Sequence, residues 1–424
     1  MNKIYLRILI LASLVSIVGC RNQAISTENL ADKEISTSSA TYWSEFFDAY
    51  WEAMNQSYVF WKYDNTDWDK IKTNYAPIFS DLDSWRMESN SDYYQRSALL
   101  SHNQDSLLFK GDSTALMYLN SITTGLLDHH YSLAIKDLGC FLDGGGDEVS
   151  SRDYYSDRSG FTEGLLTSYY DGLDDGSITD EAYGEYESED GDIMLISYCL
   201  NGDIAYLYVS KYGISDAESD PIDPDDDTLE DVLDNFEDIV RGTPDLKGVI
   251  LDVRCNTGGT NDDLDEVFGR FIADGEILEF GYSQHKAGPG RLDYTQVTPV
   301  SLKGSSDEAT LDFPIVVLAD IGSVSLAEIT CVVARAFSAQ SIVVGERTFG
   351  GTCSLMSDIY LAGGVIENDN MRIYTSSGLF YDLDMNFYEG VGITPDIEVF
   401  YDPTWVDTGI DSQKQAAVDY LNGL

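Results

Sequence analysis

Three short, uninterrupted apolar runs constrain the fold of this 424-residue chain more than any other feature. They are 248–253 (GVILDV), 313–319 (FPIVVLA) and 341–345 (SIVVG). Runs of this length without polar alternation are typical of parallel strands that are buried on both faces. Helical patterns at 262–272 and 325–337 lie between them. This alternation predicts an α/β domain in the second half of the chain.

The first half is predicted to begin with a helical domain. Aromatic and apolar side chains recur there at three- and four-residue spacing, as on a helix face that meets a core. They are Trp43, Phe46, Phe47, Tyr50, Trp51 and Met54. Further helices are predicted at 68–79, 93–101 and 113–127, with Asn65 or Asp67 and Ser113 as caps.

Between these halves the pattern is weaker. A strand is predicted at 131–135, a hairpin at 193–198 and 204–209, and a helix at 229–240. Residues 138–191 show no clear periodicity. A chain of this length favours a helper domain beside a main domain.

The charge balance excludes one class of partner. The chain has 25 Lys and Arg against 74 Asp and Glu, a net charge of −49, which opposes binding to a phosphate backbone. Nucleic acid is therefore not an expected partner. The acidic residues are densest at 215–238, which is predicted to be a solvated loop. Asp223, Asp225 and Asp227 lack the turn glycine of a calcium-binding loop, so calcium is not predicted there.

The amino-terminal residues predict export. Lys3 and Arg7 flank the start of an apolar run, 8–18, that is too short for a permanent membrane span and ends at Gly19-Cys20. Residues 17–20 resemble a bacterial lipobox, in which the cysteine receives the lipid. Cys20 is therefore the predicted lipidation site, followed by a polar tether to residue 41. The expected location is the cell envelope, with outer-membrane anchoring on the periplasmic or the surface side.

The remaining five cysteines have irregular spacing and include no CxxC pair. They predict neither a metal site nor a disulfide framework, and their pairing, if any, is left open. No metal or cofactor is required by the chemistry predicted below.

The segment Gly322–Ile329 (GSVSLAEI) lies between a predicted buried strand and a predicted helix. A serine at such a junction meets the unpaired N–H groups and partial positive charge of a helix N-terminus, which stabilise a developing oxyanion. Considered alone, the same serine is more simply a helix cap.

Three segments considered together favour a nucleophile over a helix cap as the role of this serine. GVILDVRCNTGG (248–259), GSVSLAEI (322–329) and GERTFGG (345–351) resemble, in order, the signature of the tail-specific serine peptidases and their tricorn-type relatives. The resemblance extends to GVGITPD (390–396) and to LDHHYSL (127–133). It implies a core like those of ClpP and crotonase, joined to the N-terminal helical domain, with peptide-bond hydrolysis as the activity.

The resemblance also implies site residues. Ser325 corresponds to the nucleophile, with Ser323 as the fallback. The lysine base of the tail-specific branch is absent, since Gly351 stands there. The tricorn-type branch uses a histidine, which corresponds to His130, and adjacent His129 is the second choice.

An acidic partner for the base is also implied. Glu389 corresponds to the acid that supports the histidine, while Asp382 and Asp384 compete for that role. In tricorn-type enzymes a serine precedes the base, whereas this chain has His129.

For the oxyanion hole, Gly258 and Gly259 allow the backbone to approach a substrate carbonyl, and the N–H of Leu326 is a further donor. A tight turn alone would also need these glycines. Cys255 and Cys353 are ranked as packing residues, because neither opens a helix as Ser325 does.

These inferences divide the chain into six parts. They are a signal peptide (1–19), the lipidated cysteine and tether (20–41), a helical domain (42–127), a connecting region that opens with the histidine segment (128–192), the α/β peptidase core (193–405) and a C-terminal helix (406–424). The predicted function is a serine peptidase acting on exported or unfolded polypeptides. Alternatives are a non-catalytic peptide- or ligand-binding lipoprotein on the same fold and a nutrient-capturing surface lipoprotein. The oligomeric state and substrate sequence are not predicted.

Overall fold

The computed structural model describes residues 40–84, 110–144, 158, 160–187, 191–215, 228–353 and 364–424. The predicted signal peptide, Cys20, the helix at 93–101 and residues 216–227 of the acidic segment lie outside the described residues. Residues 228–238 of that segment belong to the helix Thr228–Gly242, so the prediction of a loop is wrong there. Among the described residues, no helix combines the length and the apolar character needed to cross a membrane.

The elements are numbered in chain order. The helices are α1 (Trp43–Ser57), α2 (Trp68–Asp81), α3 (Lys110–Thr123), α4 (Phe161–Asp175), α5 (Thr228–Gly242), α6 (Asp262–Phe268), α7 (Leu326–Phe337), α8 (Trp405–Thr408) and α9 (Ser412–Asn422). The first strands are β1 (Ser132–Ile135), β2 (Cys140–Asp143), β3 (Ile178–Tyr186), β4 (Ile193–Leu200), β5 (Ile204–Val209), β6 (Gly248–Asp252) and β7 (Ile277–His285). The later strands are β8 (Thr298–Lys303), β9 (Ile315–Ala319), β10 (Ile342–Gly345), β11 (Gly364–Glu367), β12 (Met371–Thr375), β13 (Gly378–Asp382) and β14 (Ile397–Glu398).

The chain forms two compact units. The first comprises the described residues up to Gly144, together with Gln284–Val297 and the described part of Leu355–Leu379. The second comprises the described parts of Gly145–Ser283, Thr298–Ser354 and Phe380–Leu424.

In the first unit, helices α1 and α2 pack through aromatic rings. Phe47 and Phe79 stack with their ring centroids 4.5 Å apart. The indole N–H of Trp51 donates to the carbonyl of Trp68 (2.8 Å), and the Trp68 indole donates back to the Trp51 carbonyl (3.1 Å). The aromatic stripe predicted from the sequence is therefore a packing face whose buried indoles also satisfy their hydrogen bonds.

A four-stranded antiparallel sheet completes the first unit, in the order β11-β12-β1-β2. Leu133 of β1 lies opposite Ile373 of β12 and Leu142 of β2. Leu133 and Ile373 are fully buried, which sets the register of the strand that begins just after the histidine segment.

The second unit is built on a seven-stranded sheet in the order β14-β10-β9-β6-β5-β4-β3. Strands β5, β6, β9, β10 and β14 are parallel neighbours, and the β3-β4-β5 edge is antiparallel. All three apolar runs predicted to be strands are confirmed and lie side by side in the parallel part. The α/β core is therefore confirmed.

Alternate residues of the central strands face two different cores. Val249 and Leu251 pack with helices α5, α6 and α7 on one face of the sheet. Ile250 packs with α4, α8 and α9 on the other. Burial on both faces explains why these strands are apolar without alternation.

Some predictions about helix caps and elements are confirmed, and others are wrong. Asp67 caps α2, accepting from the Lys70 N–H at 3.0 Å, as expected. Helix α3 begins at Lys110, so Ser113 lies inside its first turn and is not its cap. The aperiodic region holds β2, α4 and β3. Helix α4 was missed because its glycines (Gly164 and Gly172) dilute the apolar period; each instead allows close packing, against Trp405 and Ile178.

A buried charge network joins β6 to α9. The Arg254 guanidinium bonds both carboxylate oxygens of Asp252 and both of Asp411, and it also donates to Gln413 at 2.9 Å. Arg254 and Asp252 are 1% and 0% exposed. Asp411 in turn caps α9 by accepting from the N–H groups of Gln413 and Lys414. The aspartate and arginine of the LDVR segment are therefore structural.

Replacing Arg254 by Met should lower the free energy of unfolding by about 3–5 kcal/mol, because two buried carboxylates lose their cation. Arg335→Met is the control, since the Arg335–Asp396 pair is solvent-exposed and should contribute only about 0–1 kcal/mol. Denaturant titration measures both. A loss at Arg254 no larger than at Arg335 would contradict the structural role.

Candidate active site

The three motif segments meet at one edge of the sheet. Strands β6, β9 and β10 are adjacent and parallel, so their carboxyl ends, Asp252, Ala319 and Gly345, lie at the same edge. The segments that follow them are 253–261, 320–325 and 346–353. Parallel α/β sheets bind ligands at this edge, which makes it the candidate site of the second unit.

Ser325 stands at the sharpest point of this edge, immediately before helix α7. Its backbone has φ 58° and ψ −117°, a left-handed conformation that is uncommon for residues other than glycine. Such strain costs on the order of 1–3 kcal/mol and persists where the surroundings enforce it. The side chain of Ser325 is partly exposed.

The fallback serine has a different environment. Ser323 is fully buried, and its hydroxyl donates to the Val253 carbonyl at 2.7 Å. It also accepts from the Asp320 N–H at 2.9 Å. This hydroxyl therefore ties the turn to the end of β6, and it does not face solvent.

Gly258 brings the first motif against Ser325. A Cβ atom on Gly258 would lie 2.7 Å from the Ser325 Cβ and 2.9 Å from the Leu326 nitrogen. A Cβ on Gly259 would lie 2.2 Å from the Tyr212 carbonyl oxygen. Both glycines also have positive φ, so no other residue fits either position without displacing the backbone.

The predicted oxyanion donors differ in their hydrogen bonding. The Gly258 N–H already donates to the side-chain oxygen of Asn256 at 2.8 Å. Asn256 is itself fixed, because its amide donates to the Val209 carbonyl at 2.9 Å. Within the described part of the chain, the N–H groups of Gly259 and Leu326 donate no hydrogen bond. These two N–H groups are therefore not held by a neighbouring group as the Gly258 N–H is.

Glu328 joins the second motif to the third. Its buried carboxylate accepts from the Ser325 N–H (3.1 Å), the Thr348 hydroxyl (2.5 Å) and the N–H groups of Gly350 (2.8 Å) and Gly351 (2.7 Å). Burial raises the pKa of Glu328 to about 7, although these hydrogen bonds lower it. The motif glutamate therefore positions the serine turn and does not face a substrate.

Glu389 immediately precedes the GVGITPD segment (390–396). It is 1% exposed, and its carboxylate accepts from the Cys353 N–H at 2.8 Å. The neighbouring Gly390 donates to the Gly350 carbonyl at 2.8 Å. The 389–393 segment is thus bound to the loop after β10. Asp382, by contrast, accepts from Tyr388 and Asn386 within its own partly exposed turn.

The cysteines of the second unit sit in packed surroundings. Cys353 is buried, and burial raises the pKa of the Cys255 thiol well above its ordinary value, with Asp320 adding to the shift. None of the five described cysteines forms a disulfide.

The predicted base belongs to the first unit. The backbone N–H of His130 donates to the Asp128 carboxylate at 2.9 Å. This fully buried carboxylate also accepts from the Thr375 hydroxyl (2.8 Å) and from the backbone and hydroxyl of Ser376 (2.8 and 2.9 Å). Removal from water lowers the pKa of His130, and the charge of Asp128 partly opposes this. Its Nδ1 atom is buried without a hydrogen-bond partner among the described residues.

Sequence reasoning assigned no role to Asp128, Asn256 or Glu328. Each is a polar residue inside a matched segment that becomes fully buried. A buried polar side chain must be hydrogen-bonded, and these three hold the backbone of the histidine segment, the glycine segment and the serine turn. Only His102 among the four histidines lies outside the described residues.

The raised pKa of Glu328 predicts a pH effect on stability. An unfolded glutamate titrates near 4.5, so between about pH 4.5 and 7 the unfolded chain releases a proton that the folded chain retains. The contribution of Glu328 to the free energy of unfolding is fully present below about pH 4.5 and is lost as the pH rises through about 7. The wild-type free energy of unfolding, relative to non-titrating Glu328→Gln, should fall by roughly 3 kcal/mol across this window.

Denaturant titrations at several pH values measure this difference. Ser323→Ala is the control, because it alters a buried hydrogen bond of the same turn without removing a titrating group. It should retain the wild-type pH slope. A wild-type to Glu328→Gln difference that does not change with pH would contradict the assignment.

Comparison with known proteins agrees with these motifs. Residues 203–399 match the model of Peptidase family S41. The carboxy-terminal-processing protease of Bartonella bacilliformis is 29% identical over 211 residues, 49% of this chain and 41% of that protein. The chain thus spans less than half the length of this curated relative.

A solved structure shares the fold. The crystal structure of a provisionally assigned peptidase from Parabacteroides merdae matches with a TM-score of 0.59 and 21% identity, covering 90% of this chain and 97% of that one. Together, the family match and the curated relative show that residues 203–399 are similar to peptidase family S41 and to a carboxy-terminal-processing protease.

Proposed function

We propose that this protein hydrolyses peptide bonds of exported or unfolded polypeptides through an acyl-enzyme on Ser325. One observation carries the proposal. A partly exposed serine is held in a strained turn at a helix N-terminus, against a glycine backbone that no side chain obstructs. A nucleophile needs this combination of exposure, fixed orientation and nearby N–H donors.

The proposed mechanism has two steps. His130 accepts the Ser325 hydroxyl proton as the oxygen attacks the scissile carbonyl, and then delivers it to the leaving amine. Water next attacks the acyl carbonyl while His130 accepts a proton from it, and His130 returns this proton to the Ser325 oxygen as the acyl–oxygen bond breaks and the carboxylic acid is released. Glu389 is the proposed partner that stabilises the imidazolium.

The proposed oxyanion hole uses the N–H groups of Leu326 and Gly259. Gly258 contributes mainly by lacking a side chain, since its own N–H is held by Asn256. A donor that is already in place costs no reorganisation when the oxyanion forms.

The proposed substrate is a peptide or a protein. The proposed location is the cell envelope, where a lipid on Cys20 anchors the enzyme to the outer membrane. The domain division proposed from the sequence places the peptidase core at 193–405, although 284–297 and the described part of 355–379 belong to the first compact unit.

Ser325→Ala should reduce peptide hydrolysis by about a thousandfold or more and abolish labelling by a fluorophosphonate probe, because the attacking oxygen is gone. Ser323→Ala is the matched control and should keep its labelling. Mass spectrometry of the labelled peptide distinguishes the two serines. Undiminished hydrolysis by Ser325→Ala would refute the nucleophile, and an unlabelled wild-type protein would favour the non-catalytic alternative.

The lowered pKa of His130 predicts the acid limb of activity. A base works only when neutral, so kcat/KM should fall as pH drops through an apparent pKa below the ordinary value of 6.5. His130→Ala should lose activity together with this limb, whereas His129→Ala should retain the limb. Rate profiles between about pH 4.5 and 8 measure it. A limb at or above 6.5 would contradict His130 as the base.

A further inference from the structure

Arg158 contacts the loops after two of the central strands. One guanidinium nitrogen lies 3.2 Å from a carboxylate oxygen of Asp320, and the other bonds the carboxylate of Glu346. The guanidinium also stacks over the Tyr401 ring, 4.3 Å from its centroid. Arg158 is 15% exposed, whereas Asp320 and Glu346 are 0% and 3% exposed. All four residues belong to the second unit.

Asp320 connects this contact to the nucleophile. The oxygen that does not face Arg158 accepts from the N–H groups of Cys255 and Gly322, both at 2.9 Å. Cys255 precedes the glycines of the first motif, and Gly322 opens the turn that ends at Ser325. One carboxylate therefore fixes both the glycine segment and the serine turn.

Glu346 connects the contact to the third motif. Its second carboxylate oxygen accepts from the Tyr401 N–H at 2.8 Å. Glu346 comes directly after β10, two residues before Thr348, whose hydroxyl bonds Glu328. Arg158 therefore contacts both the segment after β9, which ends at Ser325, and the segment after β10, which is bound to Glu328.

We infer that Arg158 is a positioning residue for Ser325. By neutralising Asp320 and Glu346 together, it keeps both carboxylates in the arrangement that orients the serine turn and the glycine segment. This inference rests on the proposed function, and it adds a residue from the region where the sequence shows no motif.

Two carboxylates removed from water repel each other unless a cation lies between them, and without one the pair would take up a proton. Burial already raises the pKa of Glu346, while the Tyr401 N–H and Arg158 lower it. Among the described residues, the other ionisable groups that face the pair include Cys255 and Tyr208 beside Asp320, and Tyr401 beside Glu346 and Arg158.

Arg158→Gln is the main test. At about pH 8 its rate of fluorophosphonate labelling should fall at least about tenfold, because two uncompensated carboxylates distort the turn. Towards about pH 6 one carboxylate takes up a proton, so the ratio of variant to wild-type rate should rise. Arg158→Lys keeps the charge and should show a smaller loss without this added pH dependence.

Two further variants separate positioning from general stability. Arg241 has the same 15% exposure and also pairs with two glutamates, but away from the motif loops. Arg241→Gln should lower the melting temperature and leave the rate ratio independent of pH. The double variant Arg158→Gln/Glu346→Gln removes one of the two charges and should also show a flat ratio, with part of the rate recovered.

Amide hydrogen exchange tests the inference without activity. Arg158→Gln should accelerate exchange in peptides covering 253–258 and 320–325, and Arg241→Gln should not. If wild-type Ser325 fails to react, the proposed function falls while the exchange result still decides the role of Arg158. A flat rate ratio for Arg158→Gln, or unchanged exchange in both peptides, overturns the inference.

Discussion

The candidate site of the second unit depends on one buried carboxylate. Glu328 accepts hydrogen bonds from the backbone of Ser325, from the Thr348 hydroxyl and from the backbone of Gly350 and Gly351. The parallel sheet brings these loops to one edge, and the carboxylate joins the serine turn to the loop after β10, beside the backbone hydrogen bond from Phe349 to Ser323. Because the group is fully buried, its hydrogen bonds are not weakened by competing water.

Other buried polar groups extend the same principle. Asn256 holds the glycine segment, Asp320 holds the start of the serine turn, and the Arg254 network holds the end of β6 against α9. Each places polar groups in an otherwise apolar core, where an unsatisfied group would be costly. Their combined effect is to hold Ser325 in a backbone conformation that it would not adopt in a flexible loop. The strain at this residue is thus supported by the surrounding fold.

Much of the core fold was accessible from sequence because its signals are local. The apolar runs of β6, β9 and β10, and the cap of α2 at Asp67, follow from residue type and spacing over a few positions. The short strands β11 to β14 and helix α4 escaped prediction. Their residues are interrupted by glycine and polar side chains, and their stability comes from partners distant in the chain, such as the pairing of β12 with β1. Local sequence patterns do not predict such long-range strand pairing.

The site divides in the same way. Ser325, Gly258 and Leu326 were expected to act together, and within the second unit they lie in contact. The roles of Glu328, Asn256 and Arg158 were not expected. A glutamate or an arginine in an acidic sequence looks like one more surface charge until burial and its partners are known.

By itself, the sequence determined that the second half is an α/β core, that three motifs follow its central strands, and that Ser325 precedes a helix. These follow from periodicity and order along the chain. Only the tertiary structure decided which serine is exposed, which glycine N–H is already occupied, and which charges are buried together. Those properties depend on contacts between residues far apart in the chain, such as Arg158 and Glu346, which are 188 positions apart, and such contacts form only when the chain folds.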